Sequence, residues 1–129
     1  MITHILVPLD GSTASEWALP YAIDLAGEYG ARLTLFGVES PLEWETAAEY
    51  LETHAAPIRQ EGIIRVDAAE ESGDAASGIV GFAERSDIDL IVMSTRGVGG
   101  RNVGSVAAAV VEGAPCPVFL VRGPRGNGG

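Results

Sequence analysis

Five short apolar runs punctuate the chain: Ile5 to Leu9, Arg32 to Val38, Ile63 to Ala68, Ile88 to Ser94 and Pro117 to Arg122. Continuous apolar runs of this length, as opposed to apolar and polar residues in alternation, suit strands buried on both faces. Between them the apolar positions recur every three or four residues. Trp17, Tyr21, Leu25 and Tyr29 make one such series, ending at Gly30 as a C-terminal cap, with Pro20 as a kink. Thr13 followed by Glu16 fits a capping box at its start. The series Trp44, Ala47, Ala48, Leu51, Ala55 and Ile58 predicts a helix over Glu43 to Gln60, with Pro57 bending its last turn. Asp74 to Arg85 reads as a glycine-dotted helix. A glycine-rich loop, Gly97 to Gly104, leads into a helix over about Ser105 to Glu112.

Strand and helix thus alternate from end to end. Under the right-handed crossover rule this order gives one parallel sheet with helices on both faces, a doubly wound α/β domain. At 129 residues the chain makes one such domain, residues 1–124, followed by a short flexible tail, 125–129. In these sheets ligands sit beyond the carboxyl ends of the strands, where the winding reverses. Asp10 ends the first run, Val38 the second, and the Ser94 to Ser105 loop follows the fourth.

Charge narrows the choice of chemistry. Eighteen acidic residues against eight basic ones give a net charge of −10 at pH 7, and all eight basic residues are arginine. A chain without lysine has no Walker-type phosphate loop, no Schiff base and no receiver-domain lysine. The acidic balance argues against nucleic acid and anionic membranes, which ask for a basic face. No apolar run approaches the roughly 20 residues needed to cross a bilayer, and no signal-peptide pattern opens the chain, so a cytoplasmic protein without membrane insertion is expected. The single Cys116, in an apolar stretch between two prolines, reads as a buried small hydrophobe.

Asp10 has two readings: a hydrogen-bond acceptor for a ribose or purine, or a turn-forming or capping aspartate. The loop from Ser94 to Ser105 is the most informative segment. Its glycines let backbone N–H groups approach phosphate oxygens, the helix that follows adds donors and partial positive charge, and Arg96 and Arg101 lie within it. A plain connecting loop is the alternative. His4 and His54 stand near no serine or cysteine that would make a nucleophile, and read as surface histidines. Glu70 and Glu71 read as a solvated turn, Trp17 and Trp44 as packing residues. Nothing in this pattern points to an enzyme.

At this point the sequence resembles the universal stress protein family. The residues that carry the likeness are Ile5 to Ser12, Asp89 to Met93, Gly104 to Ala107, Ala114 to Val118, and Val121 with Arg122, so that it spans essentially the whole chain. The resemblance implies an α/β fold with strand order 3-2-1-4-5. It also implies ATP binding through a Gly-x2-Gly-x9-Gly motif followed by Ser or Thr. Asp10, with Pro8, would then meet the ribose and adenine side, and Val38 would offer its backbone to adenine. Gly97, Gly104 and Ser105, flanked by Met93, Ser94 and Val106, would hold the phosphates. This chain departs from the motif twice: Ser94 replaces the first glycine, and six residues, Val98 to Val103, stand where nine belong. Without a lysine, a magnesium or manganese ion would enter only as the nucleotide's counter-ion.

Two functions follow from the likeness. One is an ATP-binding stress-response or regulatory protein acting as a homodimer without rapid turnover. The other is a nucleotide-free family member acting as a protein-interaction module. In either case the last strand, Val118 to Arg122, would lie at an open sheet edge, where an apolar strand invites pairing with a second copy.

Overall fold

A computed structural model describes residues 1–38, 46–96 and 103–123. The strands are β1 (His4–Pro8), β2 (Arg32–Gly37), β3 (Val66–Glu70), β4 (Leu90–Ser94) and β5 (Val118–Val121); the helices are α1 (Thr13–Glu16), α2 (Ala18–Tyr29), α3 (Ala47–Glu61), α4 (Ala75–Arg85) and α5 (Ser105–Gly113). All five strands are parallel, in the order β3-β2-β1-β4-β5. The expected doubly wound sheet is therefore the observed one.

Side chains alternate across this sheet, as a pleated strand requires. Ile5, Val7, Leu33, Leu35, Leu90 and Val92 face a core completed by α2 and α3 residues such as Ala22, Ala26, Leu51 and Ala55. Leu6, Phe36, Ile91 and Met93 face the other core, beneath Ile79 and Ala83 of α4 and Ala107 and Val110 of α5. The central strands read as unbroken apolar runs because each face is covered.

Local signals account for most boundaries. Gly30 ends α2 in the left-handed region, at φ +66°, as its place in the sequence predicts. Thr46 and Glu49 close a reciprocal capping box on α3. Gly37 lies beneath α3: a Cβ there would come 3.3 Å from Leu51 Cδ1, so glycine lets the helix approach β2.

Four expectations are corrected. Ser12, not Thr13, caps the first helix, its hydroxyl accepting from the Ser15 amide, while Glu16 turns away to a partner on α3. The Trp17 to Tyr29 series is not one kinked helix. It breaks at Trp17, and Pro20 lies in the first turn of α2, where a missing N–H costs little. The third strand runs Val66–Glu70, not Ile63 to Ala68, because β2 sets its register: Leu33 pairs with Val66, and Ile63 is left 76% exposed. The helix expected from Glu43 likewise starts later, at Ala47, because Thr46 is extended and caps it. Trp44 and the tail 125–129 lie outside the described residues. Among the described residues no helix is long and apolar enough to cross a membrane.

Candidate functional site

The crevice expected where the winding reverses lies between β1 and β4, and a proline opens it. β1 pairs with β2 along its whole length but with β4 only through Ile5 and Leu6. The amide of Leu9 donates to Phe36 O at 2.8 Å, so the nitrogen of Pro8 faces β4, where it has no hydrogen to give. The ladder ends there, and the carboxyl ends of the two central strands part.

Beyond Pro8 the chain turns at Asp10. Oδ1 of Asp10 accepts from the Ser12 amide (2.8 Å) and from the Ser12 hydroxyl (2.6 Å), which makes the residue a turn-forming aspartate. The side chain is nonetheless exposed, and among the described residues Oδ2 has no hydrogen-bond partner. Val38, just past β2, is half-buried against α4, with its Cγ2 3.6 Å from where a Cβ on Gly78 would lie.

On the far side of the crevice, Met93 is buried within the core beneath α4 and α5, so only its backbone can face a ligand. Ser94 is buried too, its Oγ accepting from the Arg96 amide at 3.2 Å. The Gly104 amide donates to Thr95 O at 2.7 Å and pins the start of α5 beside the end of β4. Among the described residues no side chain caps α5, and the residues of its first turn, Ser105 and Val106, are exposed. Its leading amides thus face outward with the helix dipole behind them, an arrangement suited to an anion. Gly97, with Arg101, lies outside the described residues. Pro8, Asp10, Val38, Ser94, Gly104, Ser105 and Val106 are therefore gathered at one edge of the sheet, along with the backbone of Met93.

Charge is distributed unevenly around this edge. The arginine ion pairs among the described residues are Arg32 and Arg65 with Asp67, Arg59 with Glu52, and Arg85 with Glu71, all borne on β2, β3, α3 and α4 or the loops beside them. Arg96 and Arg122 follow β4 and β5 in the chain, so both stand at the carboxyl edge of the sheet, the edge at which α5 begins.

The structure also shows what the sequence reading missed. His4 is buried, not a surface residue: Nε2 lies 2.7 Å from Thr34 Oγ1 and Nδ1 3.3 Å from Arg32 Nη2. Burial, then the Arg32 charge, lower its pKa from the ordinary imidazole value. His54 is also engaged, Nε2 lying 3.3 Å from Glu16 Oε2, the oxygen that accepts from the Tyr50 hydroxyl at 2.5 Å. The Tyr50 and His54 rings meet edge to face, with centroids 4.9 Å apart. Their i, i+4 spacing was the one signal available beforehand. Cys116 is half-buried against the α4 and α5 core, and desolvation raises its thiol pKa. Among the described residues no three histidine, cysteine, aspartate or glutamate side chains gather as a metal site.

With this geometry in place, the comparisons with known proteins are specific. The model of the Universal stress protein family matches residues 1–122. A universal stress protein of Thermus aquaticus is 36% identical, the match covering 95% of this chain and all (100%) of the relative. A universal stress protein solved in complex with cAMP superposes with a TM-score of 0.75 at 22% identity, over 94% of this chain and 97% of the other. One from Archaeoglobus fulgidus in complex with dAMP superposes with a TM-score of 0.68 at 22% identity, covering 93% and 97%.

Proposed function

Given that the chain belongs to the universal stress protein family, we propose that it binds an adenine nucleotide at the crevice between β1 and β4 and acts in stress response as a homodimer. The observation that carries the binding half is the junction of β4 with α5, where the Gly104 amide holds a helix terminus that no side chain among the described residues caps, close in the chain to Ser94 and Arg96. Two proteins of the same fold were solved with adenine mononucleotides, cAMP and dAMP.

ATP is the ligand the sequence points to. Its phosphates would be held by the leading α5 amides, the Ser105 hydroxyl and Arg96, with a divalent ion balancing the remaining charge. The Gly104 amide is already committed to Thr95 and would contribute nothing. Asp10 would take the ribose through Oδ2, and the Val38 backbone would meet the base. The role is binding without rapid turnover: His4 and His54 are occupied with Thr34 and Glu16, away from a nucleophile's duties.

The homodimer reading rests on β5. It is an outer strand of the sheet, and Phe119 and Leu120 are 41% and 36% exposed on its two faces, with Tyr21 of α2 beside Phe119 at 6.2 Å between centroids. An apolar edge without lysine is open to pairing about a two-fold axis. The second reading, a nucleotide-free interaction module, draws on the shortened loop after Ser94 and on the Gly104 amide being satisfied within the chain. Mass spectrometry of small molecules released on denaturing the freshly purified protein separates the two. An adenine nucleotide near one per chain is expected, and its absence, together with no ATP uptake by calorimetry in the presence of magnesium, would leave the interaction module.

A further inference from the structure

We propose that Glu16, Tyr50 and His54 form a proton-responsive clasp that positions the turn from Asp10 to Ser15, so that protonation of His54 tightens the crevice around an adenine nucleotide. The ligand half of this statement rests on the nucleotide reading of the crevice; the clasp itself does not.

Side-chain contacts, joined through the peptide link between Glu16 and Ser15, run from α3 to the crevice. His54 and Tyr50 both meet Oε2 of Glu16, the last residue of α1. One residue earlier, the buried Ser15 hydroxyl accepts from the Asp10 amide (3.3 Å) and donates to Ser12 O (2.9 Å). Ser12 in turn donates twice to the Asp10 carboxylate. Where Glu16 is held therefore fixes how Asp10 is presented.

Histidine is the side chain whose charge ordinarily changes between about pH 5 and 8. Protonated, both ring nitrogens donate, and the Nε2 contact with Glu16 becomes a charge-assisted hydrogen bond across the two helices. Tyr50 is the fixed member. Burial, followed by the Glu16 bond and charge, raises its pKa far above the working range, so its hydroxyl stays a donor throughout. The other charged groups on the turn, on α3 and on the strands packed against it are Asp10, then Glu49, Glu52, Arg59 and Glu61, then Arg32, Asp67 and Glu70. Glu49 is spent in the α3 capping box, Glu52 is paired with Arg59, and Arg32 is paired with Asp67. Glu16 is thus the carboxylate in contact with His54 among the described residues.

Two measurements test the proposal on the full-length chain. In the first, ligand-free protein is titrated by NMR between about pH 5 and 8. The Ser12 and Ser15 amide resonances are expected to shift with the midpoint of the His54 ring, and to lose that midpoint in His54→Gln. In Glu16→Gln the turn should cease to follow the His54 ring. Resonances of the turn that ignore His54 in the unmodified protein overturn the clasp. In the second, calorimetry uses adenosine, which carries no phosphate to titrate. Binding about threefold tighter at acidic than at alkaline pH is expected, the size of a partly exposed ion pair, and no difference in His54→Gln. Tyr50→Phe, which keeps the ring against His54, should weaken adenosine at both pH values alike. Equal affinity at both pH values in the unmodified protein overturns the ligand half. Failure of adenosine and ATP to bind at either pH overturns the nucleotide reading with it, whereas a turn that titrates with His54 in that same sample upholds the clasp.

Discussion

The imidazole of His4 and the hydroxyl of Thr34 lie 2.7 Å apart across the β1 and β2 ladder, both side chains buried. Arg32 Nη2 approaches the other ring nitrogen, Nδ1, and a guanidinium can only donate. Nδ1 therefore accepts, Nε2 carries the hydrogen and donates to Thr34, and the folded state holds this histidine neutral.

A pH dependence follows from that neutrality. Because the folded-state pKa lies below the ordinary value of about 6.5, the unfolded chain binds the proton more readily. The His4 contribution to stability is complete above that ordinary value and declines as the pH falls toward the depressed one. Urea unfolding at a series of pH values from neutral to mildly acidic should show this decline, and His4→Gln should flatten it. An equal slope in both proteins would show that His4 does not titrate on unfolding.

Asp89 ties the amino ends of β1 and β4 together. Its Oδ2 accepts from the Thr3 amide and hydroxyl, both at 2.8 Å, and from the His4 amide at 3.0 Å. Asp89→Ala should destabilise by about 1 to 2 kcal/mol, the range for hydrogen bonds to a charged group softened by exposure. These bonds hold the Asp89 pKa below the usual carboxylate value, so the loss should vanish as the pH falls through that range. Chemical denaturation at neutral and strongly acidic pH checks both.

Gly37 has no room to grow toward α3. A Cβ would stand 3.3 Å from Leu51 Cδ1 and 3.7 Å from the Ala47 Cβ, so Gly37→Val should cost about 1 to 3 kcal/mol by overpacking. Gly27, with nothing within 4 Å of its Cβ position, should accept alanine without penalty as a control. Thermal melts of the two variants should diverge accordingly.

Ser105 opens α5 with its side chain exposed. If a phosphate sits there, Ser105→Ala should lower ATP affinity by about 1 to 2 kcal/mol, roughly tenfold, with little change in melting temperature. Calorimetry with magnesium present reads the affinity. An unchanged value removes Ser105 from the site.

Leu120 should disclose the assembly. Leu120→Asp places a charge on the apolar edge strand and should convert a homodimer to monomer, seen by analytical ultracentrifugation at tens of micromolar protein. Monomeric behaviour of the unmodified chain at that concentration would overturn the β5 interface.

What the sequence determined by itself was whatever depends on neighbours a few residues away. Apolar runs placed β1, β2, β4 and β5 to within about two residues, the cap at Gly30 marked its own conformation, and alternation of strand and helix required a parallel sheet with helices on both faces. The local family motifs at Asp10 and at Gly104 and Ser105 identified the edge of the sheet where the candidate site lies. Tertiary structure decided the rest, because those features depend on residues far apart in the chain. The β3 register comes from β2, so the apolar pair Ile63 and Ile64 drew the expected strand too early. Hydroxyls compete for a helix start, and Ser12 prevails over Thr13, whose expected capping partner Glu16 is instead bonded to Tyr50, 34 residues away. His4, near the start of the chain, is polar by composition and buried in fact, since Thr34 on the adjacent strand satisfies it. A sequence shows which groups can bond; only the fold fixes which of them stand within hydrogen-bonding distance.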